Sequence, residues 1–452
     1  MSDRWLYAWG VGSVAFGGAS LLVPLYIVQL GAGAVELGVL AATAALVGAP
    51  GAIVFGRLAN HVRYRRSLVL VTLVGVAATL AVVPLVTDIG LVIAVNAVLW
   101  LLVAAVGPVL TMLVVDDAPE REWDVRIGRL NKHQGYGWAG GLVLGTAWPL
   151  LGSRLAGPAD GTRLLFWVLA AGAAASAVGA ARTLPRPPAA AHVETDRAAR
   201  KVARLVATSR RGIRGATFVF MPNQLYWATR GLDPRRLRAR LDSALATYFV
   251  AAACFLTGSA AFWAPLPLFL TDAGFDSGRV FLLYLVASLG SAALYGGAGR
   301  LAARYDLRHL LSTALVVRGV CFPLAAVAIA LGTASVALGS AALILALLGL
   351  TWAVMLVVGT AVVTRLAPPQ ARGDVLGAYT ALGAVAGGIG GVLGGWLATF
   401  GPAVAFGAAG GLVGLGAVLV LAVRALAGAD RVAAPADETE RTGDVPGGPP
   451  TE

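Results

Sequence analysis

Long stretches without Asp, Glu, Lys or Arg dominate the sequence, and most of them are about as long as a bilayer is thick. A hydrocarbon core of about 30 Å requires roughly 20 apolar residues in a helix. Stretches of this length cover 5–35, 37–56, 67–87, 89–115, 133–153, 164–181, 243–271 and 280–299. Two longer stretches, 319–364 and 375–423, have room for two helices each, with breaks at Gly332-Thr333 and Gly401-Pro402. The pattern therefore predicts twelve transmembrane helices, called spans 1 to 12 below.

Composition agrees with a protein embedded in a bilayer. Of the 452 residues, 58% are hydrophobic and only 13% are charged, and the mean hydropathy is +0.79. Soluble chains carry about a quarter charged residues, so composition excludes a cytosolic enzyme, a disulfide scaffold and a disordered protein. Scattered histidines, cysteines in apolar stretches and the lack of a Walker A or Gly-rich dinucleotide motif predict no metal, no cofactor and no enzyme chemistry.

Positive charge is distributed unevenly among the loops that connect the spans. One set of short loops holds most of the Lys and Arg, and the set on the opposite side holds few. Basic loops stay in the cytoplasm. With twelve spans, both termini are then expected in the cytoplasm, and the protein in the cell (plasma) membrane.

The segment 184–242 is the most basic part of the chain. Over 197–214, Arg and Lys recur near helical spacing opposite apolar residues, which predicts a basic amphipathic helix on the anionic lipids of the inner leaflet. Nucleic acid is not expected as a partner because interleaved aromatics and a reading motif are missing. A regulatory partner is the alternative. The acidic, Pro- and Gly-rich segment 428–452 is predicted to be disordered.

The chain repeats itself, which indicates duplication of a six-helix unit. At an offset of 243 residues the matches are Pro24-Leu25-Tyr26 with Pro267-Leu268-Phe269, Gly31 with Gly274, and Gly56-Arg57-Leu58-Ala59 with Gly299-Arg300-Leu301-Ala302. Farther on the offset is 249, which pairs Gly141 with Gly390. We therefore predict two parallel halves, 1–183 and 243–427, joined by 184–242. Such halves, with a site between them near the midplane, are typical of transporters.

The residues that follow span 2 carry a family resemblance. Residues 56–68, GRLANHVRYRRSL, resemble the G-x-L-A-D-R-x-G-R-R-x-x-L signature of the major facilitator superfamily, and 299–311 resemble it more weakly. The resemblance implies an all-α polytopic membrane protein with twelve transmembrane helices in two six-helix repeats, acting as a monomeric secondary transporter. The sequence departs from the signature at Asn60, where the family has Asp, and at Arg63, where it has Gly. Span 4 also lacks the arginine of many proton-coupled members, and span 5 lacks the Gly-Pro pair of drug antiporters.

Under this resemblance, residues on the cytoplasmic side form a gate. Its expected members are Gly56, Asn60, Arg65, Asp124, Arg304, Arg308 and Asp374. Asp374 and Asp124 would supply the carboxylates that Asn60 cannot, each facing the arginines of the other half. Solvated loop charge, worth roughly 0 to 1 kcal/mol per pair, is the alternative.

Two spans carry glycines at four-residue spacing, a pattern that lets helix backbones approach closely in lipid. These glycines are Gly137, Gly141 and Gly145 in span 5 and Gly383, Gly387, Gly391 and Gly395 in span 11. The resemblance places both spans at the seam between the halves. Tight packing within one half is the alternative.

In the family, spans 1, 4, 7 and 10 line the solute cavity. Their candidate lining residues here are Ser13, Phe16, Ser20, Asn96, Trp100, Thr111, Ser259, Trp263, Trp352 and Thr360. An aromatic, weakly polar lining suits a small hydrophobic or amphipathic solute. For each Trp, packing against lipid or a neighbouring helix is the alternative.

Few ionisable groups fall near the spans. Glu36 and His133, at span ends, are the candidates for proton coupling. Arg318, within span 9, is expected to snorkel or to pair between helices rather than to bind solute. We expect export of hydrophobic compounds, with uptake of a neutral metabolite, or a non-transporting membrane sensor or scaffold, as alternatives.

Overall fold

The computed structural model describes residues 4–59, 62–115, 123–185, 243–331, 334–368 and 372–423, and helices account for every regular element in these ranges. The α-helices are α1 Arg4–Gln29, α2 Ala34–Ala59, α3 Val62–Val82, α4 Ile89–Val115, α5 Trp123–Thr183, α6 Ser243–Trp263, α7 Leu266–Asp272, α8 Ser277–Arg304, α9 Leu307–Leu331, α10 Ala334–Leu366, α11 Arg372–Ala398 and α12 Pro402–Ala422. A short 3-10 turn, Val83–Leu85, follows α3. The segments 197–214 and 428–452, and Asn60, lie outside the described residues.

Within the described ranges, ten helical segments are long and apolar enough to cross a membrane. Span 2 contributes the shorter apolar stretch Ala34–Val47, and span 5 forms the first part of α5. The chain is therefore an all-α, multi-pass membrane protein. Of the two breaks placed inside long apolar stretches, one falls between α9 and α10 and the other between α11 and α12.

Spans 5 and 6 together form α5, 61 residues long, which is not straight. The Trp148 indole donates to the Gly161 carbonyl at 2.6 Å, although 13 residues of straight helix would separate them by about 20 Å. The first arm of α5, residues 123–152, runs parallel to α1, since Gly137 lies against Gly10 and Gly141 against Gly18. The second arm, residues 161–183, runs antiparallel to α1, since Leu169 lies against Gly18 and the Ser176 hydroxyl donates to the Ala8 carbonyl. The arms, 123–152 and 161–183, are therefore antiparallel, with α1 packed against both.

Span 7 is divided into α6 and α7 at Pro265, which directly precedes α7. The equivalent position in the first half, 243 residues earlier, is Leu22, and α1 runs through without a break. Pro24 inside α1 matches Pro267 in α7. The second half therefore has one more proline than the first at this position. That proline, Pro265, accounts for the division of span 7 into two helices where span 1 is a single helix.

The backbone reproduces the internal repeat at the turns that end α1 and α7. Gly31 has φ +93° and Gly274 has φ +85°. The Gly31 amide donates to Val28 and the Ala32 amide to Ile27, and the Gly274 and Phe275 amides donate to the residues 243 positions later, Thr271 and Leu270. Both helices close in the left-handed conformation that glycine adopts without a Cβ penalty.

The same repeat extends to helix packing inside each half. A Cβ at Gly141 would collide with the Val14 carbonyl oxygen of α1, and a Cβ at Gly390 would collide with the Thr257 carbonyl oxygen of α6. Both pairs are related by the two offsets found in the sequence. Each half is thus braced by a close contact between its first helix and a glycine-bearing helix farther along the same half, α5 or α11.

Among the described residues, the halves meet mainly along two joints, with a smaller contact between α1 and α7. In the first, α2 packs on α11, where Gly391 and Gly395 lie directly on the backbone of Gly38 and Ala34. In the second, α5 packs on α8, and the ring of Phe281 covers Gly145. Since 243 residues separate Gly38 from Phe281, the two joints are equivalent in the repeat but differ in side-chain bulk. The first joint brings the helix backbones together, whereas the ring of Phe281 lies between α5 and α8 in the second.

Candidate functional site

A buried arginine lies near the middle of the second half and joins three helices. Arg318, near the centre of α9, is 1% exposed. Its Nε donates to the Ser259 hydroxyl of α6 at 3.1 Å, and Nη1 donates to the Leu348 carbonyl of α10 at 2.9 Å. Nη1 also lies 3.3 Å from the Thr351 hydroxyl. Of the two expectations for this residue, pairing between helices therefore describes it, and snorkelling does not.

Aromatic rings surround the same guanidinium. Its central carbon lies 5.3 Å from the ring centre of Phe322 and 5.4 Å from that of Trp352. Phe322 stacks on Phe262 of α6 with ring centres 4.1 Å apart. Cation–π contacts of this kind partly compensate a desolvated cation. Ser259 and Trp352 are both predicted lining residues, so two members of the predicted lining contact a buried cation.

Most predicted hydroxyl groups of the lining donate to their own helix. The acceptors are carbonyl groups three or four residues earlier, for Ser13, Ser20, Thr111 and Thr360. Ser13 is fully buried, and a Cβ at Gly137 would touch it, so Ser13 belongs to the contact between α1 and α5. These hydroxyl groups add little donor capacity to a cavity surface. The lining is therefore less polar than its composition suggests.

Aromatic side chains of the lining pair with rings that sequence reasoning did not single out. In the first half Phe16 lies beside Trp9 with ring centres 5.3 Å apart, and Trp100 lies 6.3 Å from Trp138 of α5. In the second half Trp263 packs edge-on against Tyr284 of α8, 5.3 Å away. Neither α5 nor α8 belongs to the cavity helices of the resemblance, which is why Trp138 and Tyr284 were missed.

Asn96, 3% exposed, lies on α4 among apolar residues. A cavity between the halves lies elsewhere, near the end of α1. Its lining residues, from α1, α5 and α8, are Leu22, Leu25, Gln29, Gly145, Trp148, Thr162, Leu165, Ser277 and Phe281.

The predicted seam glycines divide into two groups. Gly145, Gly391 and Gly395 lie between the halves, at the joints described above. Gly137 and Gly141 pack on α1 inside the first half, so the alternative interpretation, tight packing within one half, describes these two. The remaining positions of α11 are Gly383, whose nearest neighbour is Leu256 of α6, and Gly387, which is buried.

In the predicted gate, Arg308 interacts with a carboxylate of its own loop. Its backbone amide and its Nη2 donate to Asp306 at 2.7 and 3.1 Å, and His309 Nδ1 lies 3.4 Å from the same carboxylate. Burial raises the pKa of Asp306, but the hydrogen bonds and charge of Arg308 and the charge of His309 outweigh burial and leave the pKa below its ordinary value. Asp306 was missed because the family signature assigns no carboxylate to this position.

For the other gate residues within the described ranges, the structure gives the helix in which each lies and, for Arg65 and Arg304, the exposure of the side chain. Arg65 is buried in α3, 2% exposed, and Arg304 is exposed at the end of α8. Gly56, Asp124 and Asp374 lie in α2, α5 and α11 at positions whose side chains are outside the description. The ion pairs across the halves therefore stay a prediction.

Both coupling candidates bond to nearby backbone, Glu36 at the start of α2 and His133 inside the first arm of α5. The Glu36 carboxylate accepts from the Gly33 amide at 3.0 Å at the start of α2. His133 Nδ1 donates to the Arg129 carbonyl at 2.8 Å, and its ring meets the edge of Tyr7. Neither residue is among the contacts of Arg318.

Solved structures show the same fold. A crystal structure of the nucleoside transporter NupG matches with a TM-score of 0.66 at 14% identity, covering 94% of this chain and 98% of that chain. A bacterial homologue of the human lysosomal transporter Spinster, inward-facing and unoccupied, matches with a TM-score of 0.64 at 13% identity, covering 94% of each chain. The human organic anion transporter MFSD10 (TETRAN) matches with a TM-score of 0.54 at 18% identity, covering 92% and 98%. At these identities the likeness concerns the fold alone.

Family membership rests on the sequence itself. None of the curated proteins matches the chain. The family model described as Major Facilitator Superfamily matches residues 9–298 and 248–446, nearly the whole length. With the duplicated helical halves and the transporters of like fold, the match identifies a membrane transporter and not an enzyme. The chain belongs to the major facilitator superfamily.

Proposed function

We propose that the protein is a secondary active transporter that exports a small hydrophobic or amphipathic organic solute. One half rocks against the other, so that a site between them opens to each side of the membrane in turn. The solute contacts are the lining residues of α1, α4, α6 and α10. The cytoplasmic gate residues close one entrance, and Glu36 and His133 are the candidates for coupling to protons.

The observation that carries this proposal is that two internally braced halves meet along two separate joints. Inside each half, α1 or α6 is locked backbone-to-backbone against α5 or α11. Between the halves, contact is made along the two joints, α2 with α11 and α5 with α8. At the first joint small residues let the helix backbones approach closely, and at the second joint the ring of Phe281 lies on Gly145. Such joints permit rocking of two rigid bodies.

The choice of solute rests on the lining. Trp100, Trp263 and Trp352 are half-buried, and most hydroxyl groups of the predicted lining donate to their own helices. An aromatic surface with few free hydroxyl groups favours solutes with an aromatic or aliphatic body. Uptake of a neutral metabolite is less well matched, because such a solute needs several hydrogen-bonding partners.

The test is solute counterflow in liposomes that contain the purified protein. A thermal-stability screen first selects ligands, since a compound at 100 times its Kd adds about 2.7 kcal/mol of stability. A radiolabelled hit is then followed into preloaded liposomes, with and without a pH gradient. We expect saturable exchange, and acceleration by the pH gradient if the transport is proton-coupled.

The matched variants for this experiment are Gly395→Val and Gly411→Val. A side chain at Gly395 collides with the backbone of α2, whereas a Cβ added at Gly411 in α12 would have no atom within 4 Å. Gly395→Val should bind the hit but exchange it slowly, and Gly411→Val should behave as the unmodified protein. A folded protein that binds its hit and never exchanges it would support the sensor or scaffold alternative instead.

A further inference from the structure

The charge of Arg318 has no acidic counterpart among the described residues. The carboxylates that the structure describes all lie at helix ends or at the reversal of α5, namely Glu36, Asp88, Asp160, Asp272, Asp276 and Asp306. Asp88 and Asp276 cap the starts of α4 and α8 by accepting backbone amides. Arg318, near the middle of α9, is surrounded instead by hydroxyl groups, one carbonyl and aromatic rings.

An uncompensated cation inside a membrane protein is costly and needs a reason. Arginine stays charged in proteins. The neutral groups around Arg318 reduce the desolvation penalty but leave the full positive charge in a low-dielectric region. That charge repels cations and attracts anions over a distance of several ångströms, because little water lies between to screen it.

Three buried hydrogen-bond donors in Arg318 and in residues next to its partners lack an acceptor. Arg318 Nη2 is buried with no partner, and so are the indole Nε1 atoms of Trp263 and Trp352. Trp352 follows Thr351, a partner of Arg318, and Trp263 lies one helical turn beyond Ser259, another partner. Buried donors are normally paired. The cluster therefore has donors to spare and lacks an acceptor with negative charge.

We propose that Arg318 selects an organic anion as the transported solute. The solute carries a carboxylate on an aromatic or aliphatic body, the body lies on the aromatic lining, and the carboxylate lies on the side of α6 and α10 that the Arg318 charge faces. Arg318 acts as a specificity-determining residue through its charge. In this proposal Ser259 and Trp352 lie between Arg318 and the solute, so the guanidinium attracts the carboxylate without touching it. The inference rests on the proposed transport function and narrows its solute class.

The experiment compares ligands that differ in charge but hardly in shape. The probes are benzoate with benzamide, naphthoate with naphthamide, and indole acetate with indole acetamide, at neutral pH where the acids are ionised. Binding to the purified protein is measured by calorimetry and exchange by counterflow in liposomes. We expect at least one carboxylate to bind about tenfold more tightly than its amide, a difference of about 1.4 kcal/mol.

Three variants separate charge from structure. Arg318→Gln, which keeps a donor amide but no charge, should bring the ratio of carboxylate to amide affinity to about one, and Arg318→Lys should preserve the preference. Arg279→Gln is the matched control, because it removes the same charge from an exposed arginine that pairs with Asp276 at 3.1 Å. It should keep the ratio of the unmodified protein.

The outcomes distinguish this inference from the function on which it rests. Amides that bind and exchange as well as the carboxylates overturn the anion proposal while transport stands. Tenfold preference for a carboxylate without any exchange supports the charge site and overturns transport. Failure of every carboxylate to bind, or an unchanged ratio in Arg318→Gln, overturns the anion proposal. If Arg318→Gln does not fold, loss of the preference in Arg318→Lys overturns it instead.

Discussion

At the scale of single residues, the role of each glycine depends on what a Cβ would meet. Gly141 and Gly172 lie in the same helix, yet a Cβ at Gly141 would collide with the backbone of α1, and one at Gly172 would have no atom within 4 Å. The sequence predicted the four-residue spacing but not the partner helix. Four-residue spacing defines one face of a helix. Which neighbouring helix that face meets depends on the position and rotation of the helix within the bundle, and the spacing does not give these.

We predict that Gly141→Ala destabilises the first half. The added methyl group forces the backbones of α1 and α5 apart, and overpacking of this kind costs about 1 to 3 kcal/mol. Gly172→Ala, the control, should be neutral or slightly stabilising, because Ala has the higher helix propensity. Thermal unfolding in detergent measures both. Equal midpoints for the two variants would contradict the packing seen in the structure.

A second residue-scale prediction concerns the pH dependence of stability at Asp306. Its pKa in the folded protein is lower than the ordinary value of 3.8, so the unfolded chain takes up the proton first as pH falls. The ionised group therefore adds stability above about pH 4, and this is lost as pH falls through the folded-state pKa. Asp306→Asn should lower the thermal midpoint near neutral pH. The difference from the unmodified protein should shrink at the acidic end.

At the scale of elements, the two arms of α5 show how a polar contact fixes a reversal of the chain. The apolar stretches predicted two spans, and the contacts of α1 with both arms place those spans antiparallel. The bond from Trp148 to the Gly161 carbonyl was not predictable, because an indole at the end of a span can equally face the lipid headgroups. The break at Pro265 was likewise not predictable. It lies within the long apolar stretch 243–271, which an additional proline does not interrupt.

We predict that Trp148→Phe loosens this reversal. The substitution keeps an aromatic ring but removes the donor to Gly161, and loss of one such hydrogen bond costs about 1 kcal/mol. Trp167→Phe, in the same helix, is the matched control because Trp167 is 43% exposed. Limited proteolysis near residues 153–159 should become faster in Trp148→Phe alone. A similar increase in both variants would argue for a general effect of losing an indole.

At the scale of the whole molecule, the sequence predicted the family fold and the repeat, but not the cluster that now defines the solute proposal. The sequence analysis placed Arg318 outside the predicted lining, and its partners on α6 and α10 are distant in the chain. Sequence spacing cannot show that a long side chain on one helix reaches hydrogen-bond partners on two others. The uneven loop charge, in contrast, already made a definite prediction about orientation.

We predict that both termini lie on the cytoplasmic side. An epitope tag at either end should be cut by added protease in inverted membrane vesicles and protected in right-side-out vesicles, because basic loops are retained inside. A tag between α1 and α2, next to Gly31, should show the opposite pattern. Termini protected in inverted vesicles would overturn the assignment of sides.

The bracing of α1 by both arms of α5 also bears on biosynthesis. Every one of those contacts joins residues between 4 and 185, so no partner has to wait for the second half to leave the ribosome. The first six spans can therefore be inserted and packed as a unit while translation continues. By the same reasoning, a gene divided within 186–242 should yield two fragments that reassemble in the bilayer, with α2 meeting α11 and α5 meeting α8 as the last contacts to form.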